Sequence, residues 1–103
     1  MHARVASYEV PEGRLGEAVE SFREAARKIE ALEGFERGYI LLDEDGGRLV
    51  TVTLWTSLSA LEATETRASI LRQQAVRAVE GSVRSVEQFE VAEKLAPAAE
   101  HAA

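Results

Sequence analysis

Few side chains in this 103-residue sequence are equipped for chemistry, and most of them are aromatic or hydroxylic. Trp55 is the single tryptophan, and Tyr8 and Tyr39 are the only tyrosines. An indole N–H or a phenol hydroxyl donates hydrogen bonds and stabilises the oxyanion of a bound molecule. Thr64 adds a further hydroxyl group, and Arg67 adds a positive charge. Together these five residues are candidates for a pocket that binds a small ligand.

Each candidate also has a purely structural interpretation, and the sequence leaves both open. Trp55 could be a core aromatic residue, and a strand tyrosine often packs its ring and leaves its hydroxyl at the rim. Arg67 and Arg72 could be solvated on a helix flank or could neutralise an anionic ligand. The hydroxyl of Thr64 could return to a carbonyl of its own helix.

Several classes of site are excluded or disfavoured by composition. The sequence contains no cysteine, which excludes disulfides, thiolate nucleophiles and cysteine-ligated metals. The only histidines are His2 and His101, near the two ends, so a histidine-rich metal site is not expected. The Gly46-Gly47 pair suits a hairpin turn and not a phosphate cradle. We therefore expect no metal site and no bound cofactor.

The charge balance argues against polyanionic partners. Eighteen acidic residues against twelve basic ones give a net charge of −6. Nucleic acids and anionic membranes are bound through basic surfaces, so neither is an expected partner. The first residues lack the apolar core of a signal peptide, and no apolar stretch approaches the length of a membrane span. The expected location is the cytoplasm.

Hydrophobic periodicity predicts four strands and two helices. Alternating apolar residues favour strands at about residues 3–10, 35–42, 48–56 and 82–92. Helical spacing predicts a first helix at about residues 14–33 and a second that begins after Ser57 or Ser59 and runs to about residue 80. Glu62 and Glu65 resemble a solvated face of that second helix.

The order strand, helix, strand, strand, helix, strand is typical of one fold. It predicts an α+β, ferredoxin-like βαββαβ domain: a four-stranded antiparallel sheet with both helices on one face. The domain is expected to occupy residues 1–93, followed by a flexible tail at residues 94–103. A cavity is expected between the sheet and the second helix, whose inner stripe is small at Thr64, Ala68, Ala75 and Ala78. Such a stripe either packs closely or leaves space for a ligand.

The third strand is apolar on both faces, which predicts self-association. Val50, Val52 and Leu54 share one face, while Leu49 and Trp55 lie on the other. The helices cover only one of these faces. A second copy of the chain is the simplest cover for the other, so we expect a homodimer through the sheet face. A monomer with a partly apolar exposed face is the alternative.

The segment Leu54-Trp55-Thr56-Ser57-Leu58-Ser59-Ala60-Leu61 resembles the antibiotic biosynthesis monooxygenase family, a branch of the dimeric α/β-barrel superfamily. Members commonly carry a tryptophan at the end of the third strand, a serine two residues later and then a small residue. Trp55, Ser57 and Ala60 match this pattern. The order of elements matches from about residue 3 to residue 93.

This resemblance implies a function as well as a fold. It implies a cofactor-independent, monooxygenase-like protein that acts on a small aromatic or phenolic substrate, whose anion itself reacts with oxygen. Many members have a histidine where this sequence has Thr64, and haem-binding members use a histidine of this helix as the iron ligand. Haem is therefore not expected here, and no residue is assigned a catalytic role. A non-catalytic, dimeric ligand-binding or structural module of the same fold is the alternative.

Overall fold

The structure is a computed structural model that describes residues 1–101; residues 102–103 of the predicted tail lie outside the described residues. The elements follow the predicted order, except that the second helix is divided in two. They are β1 (His2–Glu9), α1 (Leu15–Glu30), β2 (Phe35–Asp43), β3 (Arg48–Trp55), α2 (Leu58–Ala63), α3 (Glu65–Arg77), β4 (Ser82–Glu90) and α4 (Ala98–His101).

The four strands form one antiparallel sheet with the order β2-β3-β1-β4. The two sequence-adjacent strands β2 and β3 are joined by the predicted hairpin, while the helices connect strands that are not neighbours. The main core lies between one sheet face and the helices, where Tyr8 and Leu49 pack with Phe22 of α1 and Leu71 of α3. The predicted ferredoxin-like βαββαβ fold is confirmed.

Thr64 separates α2 from α3. Its hydroxyl donates to the carbonyl oxygens of Ala60, at 2.8 Å, and Leu61, at 3.1 Å. A threonine hydroxyl that returns to its own helix competes with the backbone pattern, which accounts for the interruption. At the start of α2 the backbone N–H of Ala60 donates to Ser57 Oγ at 3.1 Å, so Ser57 is the N-cap.

The helices α1 and α3 pack closely where two small residues meet. Ser21 Oγ of α1 donates to the carbonyl oxygen of Ala75 in α3 at 2.8 Å, and Ala75 is buried. The predicted small stripe therefore allows close packing at Ala75. About two turns earlier in the same helix, the buried Ala68 lines a cavity instead. Both interpretations of the stripe apply, at different positions along it. The prediction that Ala78 belongs to the inner stripe is wrong, because Ala78 is the exposed C-cap residue after α3.

The sheet face away from the helices is apolar and partly exposed. The register pairs Tyr39 with Val52 and Leu41 with Val50, and side chains paired in this way share a face. Tyr39 and Leu41 are about half exposed, as is Phe89 of β4. Simple alternation would place Phe35 on this face as well. A register shift between Phe35 and Arg37 instead turns Phe35 towards the helices, opposite Trp55.

Residues 91–101, the described part of the chain after β4, contain little regular structure. The backbone N–H of Val91 donates to the carbonyl oxygen of Met1 at 2.9 Å, just beyond the end of the β1–β4 ladder. Further along, α4 is a single helical turn within the predicted tail, whose flexibility stays a prediction. Across the described residues, every helix is too short or too polar to cross a lipid bilayer.

Gly34 controls the passage from α1 into β2. Its φ angle is +87°, a left-handed conformation that L-residues rarely adopt. Its carbonyl oxygen accepts from the backbone N–H of Thr56 at 2.9 Å, which ties the turn to the end of β3. A Cβ atom at this position would overlap the Cβ atom of Ala60. The turn therefore requires glycine for both its conformation and its proximity to α2.

We predict that Gly34→Ala lowers the free energy of unfolding by about 2 kcal/mol or more, because left-handed strain and overlap with Ala60 add. Gly16→Ala is the matched control: Gly16 lies in α1, and its added Cβ would meet no atom within 4 Å. That control should be neutral or stabilising by up to about 1 kcal/mol. Denaturant unfolding at a fixed protein concentration measures both, and equal effects would contradict the assignment.

Candidate functional site

A cavity of about 430 Å³ lies between the helix-facing side of the sheet and the helices α1 and α3. Such a volume is within the usual range for small-molecule sites, about 300–1,000 Å³. Its apolar wall includes two phenylalanine rings, one from α1 and one from β2, together with isoleucine and alanine side chains. The residues that define this wall are Phe22, Ala25, Ala26, Ile29, Phe35, Ile40 and Ala68.

Tyr8 of the central strand β1 contributes a buried phenol to the cavity. The residue is completely buried, and its ring centroid lies 4.5 Å from that of Phe22. Its hydroxyl lies 3.3 Å from Thr51 Oγ1 on the neighbouring strand β3. Burial raises the pKa of the Tyr8 hydroxyl, and the hydrogen bond with Thr51 offsets this only in part. Tyr8 is therefore a neutral hydrogen-bonding group at physiological pH.

Two buried arginines share one carboxylate beside the phenol. Arg4 of β1 is 3% exposed and Arg72 of α3 is 7% exposed. Arg4 Nε lies 2.6 Å from Glu65 Oε2, and Arg72 Nη2 donates to Glu65 Oε1 at 2.7 Å. The prediction that Glu65 lies on a solvated face is wrong. Its side chain is 35% exposed and bridges the two guanidinium groups.

Arg4 is held in place by two further contacts. Its Nη2 donates to the carbonyl oxygen of Leu61 at 2.7 Å, at the end of α2. Its guanidinium lies 5.3 Å from the ring centroid of Trp55, in the range of a cation–π contact. Burial lowers the pKa of Arg4, which the charge of Glu65 opposes. The group nevertheless stays cationic, because arginine is not deprotonated in proteins.

The cavity is electropositive although the chain is acidic. Its charged lining residues are the arginines Arg4, Arg23, Arg27 and Arg72 and a single glutamate, Glu30. Glu30 is exposed, and Glu65 is not part of the lining. A chain with a net charge of −6 thus concentrates positive charge at one concave site. Such focusing attracts anionic ligands.

The structure disperses the five pocket candidates predicted from sequence. Tyr8 lines the cavity, and Tyr39 belongs to the part of β2 that borders it, although its register directs its side chain to the opposite sheet face. Trp55 and Thr64 are buried but are not among the lining residues. Arg67 is exposed on α3 and also lies outside the lining.

Trp55 and Thr64 act as supports of the site. Trp55 Nε1 donates to Thr53 Oγ1 at 3.0 Å, and its ring meets Phe35 edge-on, with centroids 5.5 Å apart. Since Thr53 and Phe35 both line the cavity, Trp55 positions part of its wall. Thr64 ends α2 directly before Glu65, the residue that pairs with both buried arginines.

Sequence reasoning missed Arg4 entirely. One available signal was its place in β1, where Arg4 alternates with Ala6 and Tyr8 on a strand whose even-numbered residues face the helices. An arginine on the inward face of a central strand requires buried acceptors, because an unpaired buried charge is very unfavourable. Its carboxylate partner could not be inferred without the position of α3.

The comparisons place the chain in a known family. The model of the antibiotic biosynthesis monooxygenase family matches residues 1–75. The chain belongs to this family, and the resemblance seen in the sequence is confirmed. A comparison with curated protein sequences finds no significant match.

Solved structures share the whole fold. SnoaB, a cofactor-independent oxygenase from Streptomyces nogalater, is 21% identical; the match covers 91% of this chain and 95% of that one, with a TM-score of 0.73. MhuD from Mycobacterium tuberculosis, a haem degrader with two haems bound in its active site, is 26% identical; the match covers 93% of this chain and 100% of that one, with a TM-score of 0.73. The domain thus has the architecture of the dimeric α/β-barrel proteins.

The residues of this cavity do not match a haem site with a histidine ligand. The lining contains no histidine, cysteine or methionine. At the position where the family resemblance would place the ligand, Thr64 uses its hydroxyl within its own helix. Among the described residues, no cluster of three or more histidine, cysteine or carboxylate side chains is arranged to hold a metal. We therefore derive no chemical step through haem.

We predict that Tyr8 makes the stability of the protein fall at alkaline pH. Its raised pKa means that the folded state keeps the phenol proton where the unfolded chain has lost it. The stabilisation is present below about pH 10, the usual tyrosine value, and is lost as the pH rises through the folded pKa. Urea unfolding between about pH 8 and pH 11 should show a steeper decline for the wild type than for Tyr8→Phe.

The matched control for this titration is Tyr39→Phe. It removes the hydroxyl of the half-exposed tyrosine and keeps the buried one. In Tyr39→Phe the free energy of unfolding should therefore still fall with rising pH by the amount that Tyr8→Phe abolishes. Identical pH dependence of wild type and Tyr8→Phe would show that the Tyr8 hydroxyl is not desolvated as described.

Proposed function

We propose that the protein is a cofactor-independent, monooxygenase-like enzyme that binds a small aromatic or phenolic substrate in the cavity beside Tyr8. The observation that carries this proposal is the cavity itself: about 430 Å³, walled by aromatic and aliphatic side chains, with a neutral phenol inside. Family membership supports the same assignment. The similarity of the chain to SnoaB, a cofactor-independent oxygenase, is consistent with the proposal.

The walls suit a flat aromatic molecule. Phe22 of α1 and Phe35 of β2 both contribute aromatic rings to the cavity wall. Tyr8 and Thr51 line the same cavity from the sheet, and their hydroxyls can hydrogen-bond a substrate oxygen. These donors are fixed before the substrate arrives, so they stabilise negative charge that develops on that oxygen at little reorganisation cost.

The lining has no carboxylate or imidazole beside Tyr8 to act as a base, since Glu30 is exposed. The proposed chemistry therefore uses the substrate's own acidity. Nearby guanidinium groups lower the pKa of a bound phenol or enol, so the anion forms readily. That anion then reduces dioxygen. A CH₂ carbon becomes a carbonyl group, one oxygen atom enters the product and the other leaves as water, and all four electrons come from the substrate.

The same lack of a base favours one alternative. A pocket that merely holds an aromatic anion needs the walls and the positive charge but no proton acceptor. The second candidate function is therefore non-catalytic binding of a small ligand by a module of the same fold. Neither candidate assigns a catalytic role to Trp55, Thr64 or Arg67. For both we propose the cytoplasm as the location, because the chain has no cysteine.

We predict oxygen uptake when the protein is mixed with anthrones, which carry the CH₂ carbon that the proposed step oxidises. Tyr8→Phe should lower kcat/KM at least about tenfold, because it removes a hydroxyl that contacts the substrate anion. Ala26→Leu should lower it as well, because Ala26 lines the cavity and the larger side chain fills it. Ala78→Leu is the control on an exposed position outside the lining.

An oxygen electrode and product absorbance provide the two readouts. No uptake above the buffer rate across the substrate panel, with binding still detectable, would replace the oxygenase proposal by the binding alternative. Equal loss in Ala26→Leu and Ala78→Leu would show that the reaction does not take place in this cavity.

We further propose that two copies associate through the sheet face that the helices leave open. Tyr39, Leu41 and Phe89 are about half exposed there, and Val50 and Val52 lie between them on β3. A continuous apolar surface of this kind is more often covered than solvated. A two-fold pairing of identical surfaces covers it without a second protein.

We predict a dimer by light scattering at micromolar concentration and a dimer dissociation constant raised about tenfold or more by Leu41→Lys, which places a charge in the interface. Leu95→Lys is the matched control, because Leu95 is even more exposed but lies outside the sheet. A wild-type monomer, or equal dissociation of both variants, would refute association through this face.

A further inference from the structure

We infer that the cavity binds an aromatic carboxylate, with the carboxylate group on the guanidinium of Arg72 and the ring among the apolar wall residues. The inference deepens the proposed function by naming its ligand class, and it rests on that proposal for the aromatic part. Its evidence is the supply of hydrogen-bond donors and the charge around Arg4, Glu65 and Arg72.

Arg72 has donors that no group among the described residues uses. A guanidinium has five N–H groups, and the described residues provide Arg72 with one acceptor, Glu65 Oε1. Arg4 donates to Leu61 O and forms an ion pair with Glu65 Oε2; its Nε makes no hydrogen bond but is buried and inaccessible to a bound group. Both arginines are buried, and both line the cavity. The remaining donors of Arg72 are therefore the available ones for a bound group.

The charge of the cluster is not balanced by the protein. Two buried guanidiniums face one carboxylate, which leaves one positive charge in excess. Buried charges without a partner are unfavourable, and a bound anion would relieve this. Arg27 also lines the cavity and is exposed, so it extends the positive field outwards, whereas the charge of the exposed Arg23 is paired with Glu20. This field increases the rate at which anions arrive.

The local geometry favours a carboxylate over a bare phenolate. Ala68 precedes Arg72 by four residues on α3, so both lie on the same side of the helix, and both line the cavity. The small Ala68 side chain leaves room next to the guanidinium. A carboxylate matches the planar fork of arginine with two parallel hydrogen bonds, whereas a phenolate offers one oxygen.

Calorimetry with 2-naphthoate and 2-naphthol at pH 7 tests the inference, because the two probes share a ring system but differ in charge. The wild type should bind 2-naphthoate at least about tenfold more tightly. Arg72→Gln should remove this preference and leave the affinity for 2-naphthol within a factor of about three. Arg77→Gln, the same change at an exposed position of α3 outside the lining, should preserve the preference.

Glu65→Gln keeps the test decisive even if Arg72→Gln does not fold. It removes the only carboxylate of the cluster, so the excess positive charge grows and 2-naphthoate should bind several-fold more tightly. Damage to the fold would weaken binding of both probes, which is the opposite result. Circular dichroism shows which variants are folded.

The inference is overturned if the wild type fails to bind 2-naphthoate at millimolar concentration or binds both probes equally. It is also overturned if Glu65→Gln weakens binding of 2-naphthoate relative to 2-naphthol. Calorimetry needs no turnover, so its outcome is independent of oxygen uptake. A carboxylate preference without oxygen uptake supports the anion site and removes the oxygenase proposal. Oxygen uptake without a carboxylate preference supports the oxygenase proposal and removes the anion site.

Discussion

The burial of the Arg4 guanidinium on the inner face of the central strand is the constraint on which the site depends. A cation 3% exposed among core side chains needs acceptors on every accessible side. The chain supplies them from the second half of the sequence: the Leu61 carbonyl group, the Glu65 carboxylate and the Trp55 ring. One charged residue of β1 thus fixes where α2 ends and where α3 begins relative to the sheet.

The consequences extend from that ion pair to the cavity. The helix interruption at Thr64 allows α3 to begin at Glu65, whose second carboxylate oxygen then holds Arg72. Ala68 and Arg72 of α3 both line the cavity. The small alanine leaves space there, and the arginine adds a positive charge. An acidic protein thereby acquires a cationic site. At the position where the family pattern would place a histidine ligand for haem, this chain has Thr64. The Thr64 hydroxyl hydrogen-bonds to carbonyl groups of its own helix.

The order of elements and the fold could be predicted from sequence, because both follow from local periodicity and residue type. Tyr8 could be named as a candidate for the pocket, but the complete burial of its phenol could not be predicted. The side of the sheet on which Phe35 lies could not, because the shift between Phe35 and Arg37 reverses the alternation. The role of Glu65 was also hidden. A glutamate near a helix start is usually solvated, and only the pairing of distant segments brings it between two arginines.

The most direct test of this account is a crystal structure with 6-bromo-2-naphthoate, in which the anomalous signal of bromine fixes the orientation of the ring. The account predicts the carboxylate within hydrogen-bonding distance of the Arg72 guanidinium and the ring between Phe22 and Phe35. A ligand bound with its carboxylate at Arg27 near the exposed rim, or bound on the open sheet face, would contradict it.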